Sequence, residues 1–358
     1  MKKFRPYIIV TIILIAIVAV AIMKKNNSGQ SQPSEDPVVI EQVEPTEITS
    51  EENSVKDYFM FKENSLYVYT SEDSPLYNQE MFMVYSDETS LEWKIKVDSM
   101  TQEFSNLAVL NVDAYDLSFS DNMKNYREPL SNRESNAFNT IISGPIEVGT
   151  AWQVNNWSTA EIISVDEEVT VPFGTFKALK IVTNQTDGSY KEEYYAKDIG
   201  LIKTVYSTTG KEEMSSSLSE IRENTPMELD FRRFDYNAAT DEIATSVNKL
   251  AISYNPDYYG ELEKLMKVVP DDNFVPLLSE NTKINSIKVA DDFSLATIDL
   301  SKDFLEEVNL GSAIEDRVLT SIAYTIGVFY SADSVLITID GETYESGHIR
   351  LDEPIVIE

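Results

Sequence analysis

Only a few side chains in this sequence could carry chemistry. There is one histidine, His348, and no cysteine among 358 residues. A single imidazole with no thiol rules out histidine-clustered zinc sites, cysteine-based metal sites and histidine-based triads. Beside a glycine turn, a lone histidine reads as a local hydrogen-bonding residue. No G-x-S-x-G, P-loop or G-x-G-x-x-G pattern occurs, and no calcium-loop spacing. What remains is carboxylate pairs: Asp271-Asp272, Asp291-Asp292 and Glu306-Glu307. Paired carboxylates can act as general acid and base on a glycosidic bond. In a chain with 61 acidic residues such pairs arise by chance, and all three fall where turns or helix ends are expected. Asp299 with Ser301 ends an apolar strand and opens a short helical segment. Its residue types suit a strand-to-helix cap that accepts backbone N–H groups, and no base stands beside it for catalysis. The expectation is therefore no catalytic, cofactor-binding or metal-binding residue and no enzymatic activity.

The elements that carry these residues begin with Tyr7 to Met23, 17 residues without a charge. As a helix they would span about 26 Å, at the short end of what a bilayer core needs. Lys2, Lys3 and Arg5 precede the run, and Lys24-Lys25 close it. A cleaved signal peptide with Ala19-Val20-Ala21 as its cleavage site is the alternative. Ile22 and Met23 continue the apolar run past that site, which favours a retained signal-anchor, residues 1–25. No lipid-carrying cysteine follows. The basic flank places the N-terminus in the cytoplasm and the remainder outside a plasma membrane crossed once.

The formal net charge is −32; beyond Lys25, 24 basic residues face 61 acidic ones, leaving −37. Nucleic acid and anionic lipid surfaces would be repelled. Residues 26–56 read as a disordered acidic linker with Pro33, Pro37 and Pro45, reaching on the order of 30 Å.

Residues 57–223 read as a mostly antiparallel β domain, with aromatic and β-branched runs between turn signals. Leu66 to Tyr69, Met81 to Tyr85, Leu91 to Val97, Thr175 to Thr183, Ser189 to Ala196 and Leu201 to Tyr206 are examples. Leu91 to Val97 alternates apolar and polar, as a half-buried strand does. Asp187-Gly188 marks a hairpin, and Asn122 to Asn139 reads as a long loop. Gly144 to Tyr206 is similar to β-rich bacterial surface lipoprotein domains. Gly149, Trp152, Gly174, Phe176, Tyr195, Gly200 and Lys203 carry that similarity, which implies a curved or half-open sheet and no activity.

Residues 227–358 read as α+β. Met227, Leu229 and Phe231 alternate like a strand, and Glu242 to Tyr254 fits helix or strand. Tyr258 to Lys267 is an amphipathic helix. Ile284 to Val289 and Leu295 to Leu300 are strands joined across Asp291-Asp292. Ala313 to Phe329 is a helix with Ile314, Val318, Ile322, Ile326 and Phe329 on one face; Ser312 and Glu315 form a capping box. Val335 to Ile339 is a buried strand before the Asp340-Gly341 turn.

This region resembles a GerMN-type domain, named after a spore-germination and sporulation protein. The matching blocks are Val275 to Leu278, Ile284 to Val289, Ala296 to Phe304, the Gly311-Ser312 helix start, Val335 to Gly341 and Ser346 to Ile349. Strands before Tyr258 align poorly, and Ser346-Gly347-His348 stands where the family has G-G-H. The resemblance implies a compact α+β module on the outer face of a membrane, related to modules that pack side by side in rings. It implies no catalytic residues. The expected function is non-enzymatic protein–protein assembly in the bacterial cell envelope, in sporulation or germination. The partners are the membrane through Tyr7–Met23 and other envelope proteins, copies of itself included. The alternative is a carrier or sensor whose β domain holds a lipid or cell-wall fragment.

Overall fold

The computed structural model describes residues 54–59, 62–86, 90–97, 106–112, 116–122, 139–209, 213–290, 292–307 and 311–357. The expected membrane span Tyr7–Met23 and residues 26–53 of the acidic linker lie outside them; the last three residues of that linker, Ser54 to Lys56, are instead ordered, because Ser54 caps a 3-10 turn whose Val55 is buried in the core of a large sheet. No helix among the described residues is long and apolar enough to cross a membrane. Residues Ser54–Glu358 form one compact unit.

Twelve strands build one antiparallel sheet. They are β1 (Ser65–Thr70), β2 (Gln79–Ser86), β3 (Ser90–Val97), β4 (Asn106–Val112), β5 (Asp116–Asn122), β6 (Asn139–Ser143), β7 (Ala151–Asn155), β8 (Ser158–Val171), β9 (Gly174–Gln185), β10 (Tyr190–Ala196), β11 (Gly200–Ser207) and β12 (Met214–Glu223). Their order is β6-β5-β4-β3-β2-β1-β12-β11-β10-β9-β8-β7, so the first strand pairs with the last and two consecutive strands form the ends. Those ends meet through side chains: Trp152 Nε1 donates to Thr140 O at 3.0 Å and Asn155 Nδ2 to Asn139 Oδ1 at 3.4 Å. The hairpin at Asp187-Gly188 forms, with Gly188 at φ 85° and Gln185 N–H bonded to Ser189 O. Of the expected loop at Asn122 to Asn139, Asn122 ends β5 and Asn139 begins β6; residues 123–138 lie outside the described residues.

Beyond the sheet, β13 (Met227–Asn237) and β14 (Glu242–Ile252) form a two-stranded ribbon in full register. The segment from Glu242, open to either reading in sequence, is thus a strand. Helix α1 (Tyr258–Lys267) follows, then β15 (Ile284–Val289) and β16 (Ala296–Leu300), α2 (Asp303–Glu307), α3 (Ser312–Tyr330), β17 (Ser334–Ile339), β18 (Glu342–Thr343) and β19 (Ile355–Val356). β16 and β17 pair in parallel. Parallel pairing needs a long crossover, and α2 with α3 supply it. Helix α3 packs against β13 on one side and β16–β17 on the other.

Two hydrophobic cores result. One lies on the inner side of the large sheet and gathers Tyr67, Tyr69, Met81, Met83, Trp93, Ile162, Ile181, Tyr195 and Leu218. The other joins α1, α3, the ribbon and the small sheet, and it includes Leu66, Phe82 and Val84 from β1 and β2. Strand residues alternate between faces, so β1 and β2 feed both cores. This explains why Met81 to Tyr85 is apolar without a break. Leu91 to Val97 departs from the half-buried expectation: its polar residues Glu92 and Lys94 are 2% and 0% exposed. Lys94 Nζ lies 5.4 Å from the Tyr258 ring centroid, a contact strengthened by exclusion of water.

Candidate functional site

The ribbon β13–β14 has one protected edge and one open edge. On β13, Val275 N–H donates to Tyr236 O (3.0 Å), and just beyond the strand Ala238 N–H donates to Asn273 O (2.8 Å). Phe234 N–H donates to Thr325 Oγ1 of α3 at 3.0 Å. Among the described residues, β14 pairs only with β13. Its sequence EIATSVNKLAI holds charges only at Glu242 and Lys249 and no proline. Natural edge strands are usually blunted by charge, proline or a bulge. This one is eleven residues long, unbulged along its register, and exposes Val247 at 56%.

A buried ion pair holds the ribbon in place. Arg233 and Asp235 are 2% and 1% exposed, with Nε and Oδ1 2.7 Å apart. Asp235 Oδ2 accepts from Ser246 Oγ at 2.9 Å, and Arg233 donates to the carbonyl of Leu265 near the end of α1. A cation at a helix C-terminus is favoured by the helix dipole. Phe231 packs edge-on against Phe329, and Phe234 against Tyr324, both of α3. The ribbon is thus clamped along β13 and presented along β14. Sequence patterning missed this because an edge strand with one half-exposed face lacks a clean period of either kind.

The residues singled out for possible chemistry are scattered. His348 is exposed, and its backbone N–H donates to Ser346 Oγ at 3.0 Å. Asp271 Oδ1 accepts from Asn273 N–H and Asp292 Oδ1 from Ser294 N–H, both as turn-forming bonds. Asp291 lies outside the described residues. Glu306 stands 3.9 Å from Lys302, while Glu307 accepts from Asn281 N–H at 3.1 Å. Asp299 joins β15 and β17 rather than capping α2. Its Oδ1 accepts from Thr338 Oγ1 (2.6 Å) and Gly341 N–H (2.7 Å), and its Oδ2 from Asn285 Nδ2 (3.0 Å). Partial burial pushes this carboxyl up, but those donors, with Lys288 nearby, outweigh it and hold the group below the usual carboxylate range. The expected cap is not formed by the Ser301 side chain either: its Oγ accepts from Lys283 N–H and donates to Asp303 Oδ2, while the Ser301 backbone carbonyl accepts Phe304 N–H. The expected Ser312/Glu315 capping box is absent. Gly311 is the cap residue, and Glu315 is buried, accepting the Tyr344 hydroxyl at 2.6 Å. Among the described residues no three metal-ligating side chains gather.

A family model matches part of the chain. Residues 204–345 match the Germane family, described as sporulation and spore germination, and this part of the chain is a GerMN-type domain. The match starts within β11, upstream of Met227. Among solved structures, the first GerMN domain of the sporulation protein GerM from Bacillus subtilis is 18% identical, over 36% of this chain and 97% of that one, with a TM-score of 0.28. A protein from Bacteroides fragilis described as exported, with a YmcC-like fold, is 17% identical over 46% of this chain and 99% of its own, at a TM-score of 0.30. A Clostridium perfringens protein described as a lipoprotein is 20% identical over 37% of this chain and 88% of its own, at a TM-score of 0.24. No curated protein matches the chain.

Proposed function

We propose that this chain is a non-enzymatic, membrane-tethered extracytoplasmic protein that assembles with other proteins of the bacterial cell envelope, in sporulation or germination. The tether is Tyr7–Met23, crossing the plasma membrane once with the N-terminus in the cytoplasm. Residues 57–223 and 227–358 are the exported β and GerMN-type parts. The observation that carries this reading is the open β14 edge on a domain of the Germane family. An exposed strand edge is a template for strand addition, in which backbone hydrogen bonds supply affinity and alternate side chains supply specificity. The strong negative charge of the chain favours a partner strand flanked by basic residues.

The test compares the unit Ser54–Glu358 with its Val247→Lys variant in crosslinked pull-downs from envelope extracts and in self-association measurements. A charge on an exposed strand position changes stability by within about 0.5 kcal/mol and obstructs strand addition. The expected result is a specific crosslinked partner, or a self-complex, that Val247→Lys loses while its melting is unchanged. Equal capture by both forms would remove β14 as the assembly edge; no capture by either would count against assembly altogether.

A further inference from the structure

The register of the ribbon decides which groups of β14 are on offer. On β13 the backbone groups of Phe234 and Tyr236 point away from β14: Phe234 N–H bonds to Thr325 Oγ1, and Tyr236 O accepts Val275 N–H. In an antiparallel pair, alternate residues turn both N–H and C=O toward the partner strand. The odd-numbered residues of β13 therefore bond to β14. Through the pairs Arg233↔Ser246 and Asp235↔Ala244, the even-numbered residues of β14 answer them. Ile243, Thr245, Val247, Lys249 and Ala251 are left to aim their N–H and C=O groups at the open edge. An added strand meets an unbroken row of donors and acceptors there.

The same odd-numbered residues carry their side chains on the face away from the core. Leu250 and Ile252 are buried, whereas Thr245, Val247 and Lys249 are exposed. Across the ribbon, Lys249 sits opposite Asp230 and pairs with it. Val247 sits opposite Arg232. Arg232 is exposed and takes part in no ion pair or hydrogen bond among the described residues. Arg222, Arg233, Arg317 and Arg350 each stand in an ion pair. Acidic residues outnumber basic ones 61 to 29 in this chain, yet none meets Arg232. Its guanidinium stands directly behind the exposed valine of an open edge, where a carboxylate from outside can meet it.

We propose that the β14 edge takes an extended segment of another exported protein that sets an aspartate or glutamate opposite Val247, and that Arg232 is the residue that selects it. This rests on the reading of β14 as the assembly edge. Strands in a sheet lie about 4.8 Å apart, so the residue facing Val247 stands roughly 10 Å from Arg232 in the same row. An extended arginine laid over Val247 and a carboxylate side chain reaching back span that gap, and the arginine stem covers the valine. Guanidinium and carboxylate then meet in a two-pronged pair that lysine does not reproduce. A second copy of this chain does not supply the acid. A two-fold pairing of β14 with itself is antiparallel and faces Val247 with another odd-numbered residue, none of which is acidic; Glu242 turns its backbone toward β13. Basic residues flanking the incoming strand answer the overall charge of the chain, while the acid within it answers Arg232.

The test places a small diazirine amino acid at position 247 of the full-length chain in intact cells and identifies, by mass spectrometry, the residue joined to it. Crosslinking is compared in the otherwise unchanged chain, Arg232→Lys, Arg232→Glu and Thr245→Pro; the last removes an edge-facing N–H and no bond to β13. The expected adduct is a segment of another protein with Asp or Glu at or next to the joined position. Its yield should fall several-fold in Arg232→Glu and less in Arg232→Lys, with melting of the purified chain unchanged. Replacing the partner's acid by arginine should restore the yield in Arg232→Glu. An adduct that Thr245→Pro abolishes but Arg232→Glu leaves intact, one without an acid at that position, or one with a second copy overturns the selection by Arg232 and leaves the β14 edge standing. An adduct that survives Thr245→Pro, or none at all, removes the edge reading and this proposal with it.

Discussion

Tyr344 and Glu315 show how a residue's role depends on what reaches it from far away. The S-x-x-E pattern at Ser312 suggested a helix cap, yet the carboxylate instead accepts a hydroxyl from 29 residues downstream. Burial and this bond push the Tyr344 phenol well above its ordinary range. Tyr344→Phe should leave a buried carboxylate without its donor and cost about 1–3 kcal/mol, read as a lower midpoint in urea unfolding. Asp299 gives a pH-dependent counterpart. Its folded carboxyl is held low by Thr338, Gly341 and Asn285 against partial burial. Its stabilisation is therefore complete above the ordinary carboxylate range and is lost as pH falls through the depressed value. Unfolding midpoints should fall on acidification toward that value, and less so in Asp299→Asn. A slope unchanged by the substitution would show that Asp299 does not contribute. The position of Asp299 near the end of an apolar strand was legible in sequence. Its partners, on β15, β17 and the turn after β17, were not, because nothing local encodes contacts 14 to 42 residues away.

At the scale of elements, periodicity revealed those whose faces differ and misled where both faces are covered or neither is. Helix α3 was readable because its apolar residues recur every three or four positions, and Val318, Ile322, Ile326 and Phe329 are all buried. The glycine within it was not. A Cβ on Gly327 would stand 2.5 Å from Ile357 Cγ1 and 3.2 Å from Val335 Cγ2, so the helix meets the sheet there by close approach. Gly327→Ala should destabilise despite alanine's better helix propensity, by about 1–3 kcal/mol, measurable by thermal melting. A stabilised variant would show that Ile357 yields freely. β3 reads as half-exposed from its alternation, and nothing local announces that Lys94 is buried with the Tyr258 ring, at the start of α1, beside it. β14 reads ambiguously for the opposite reason, since much of it faces no core.

For the molecule as a whole, the sequence carried the β-then-α+β order but not how the parts join. β1 pairs with β12 across some 150 residues of intervening chain, a closure that local signals cannot announce. The two cores share β1 and β2, because Leu66, Phe82 and Val84 belong to the C-terminal core. A compact unit of this kind can present β14 as a rigid edge. The central claim, assembly through that edge, is tested most directly by placing a photocrosslinking amino acid at Val247 in the full-length chain and irradiating intact cells. The account predicts one discrete adduct with another envelope protein or a second copy, abolished when Thr245, its neighbour on the strand, is replaced by proline. Adducts that are diffuse, or that persist unchanged with the proline in place, would contradict it.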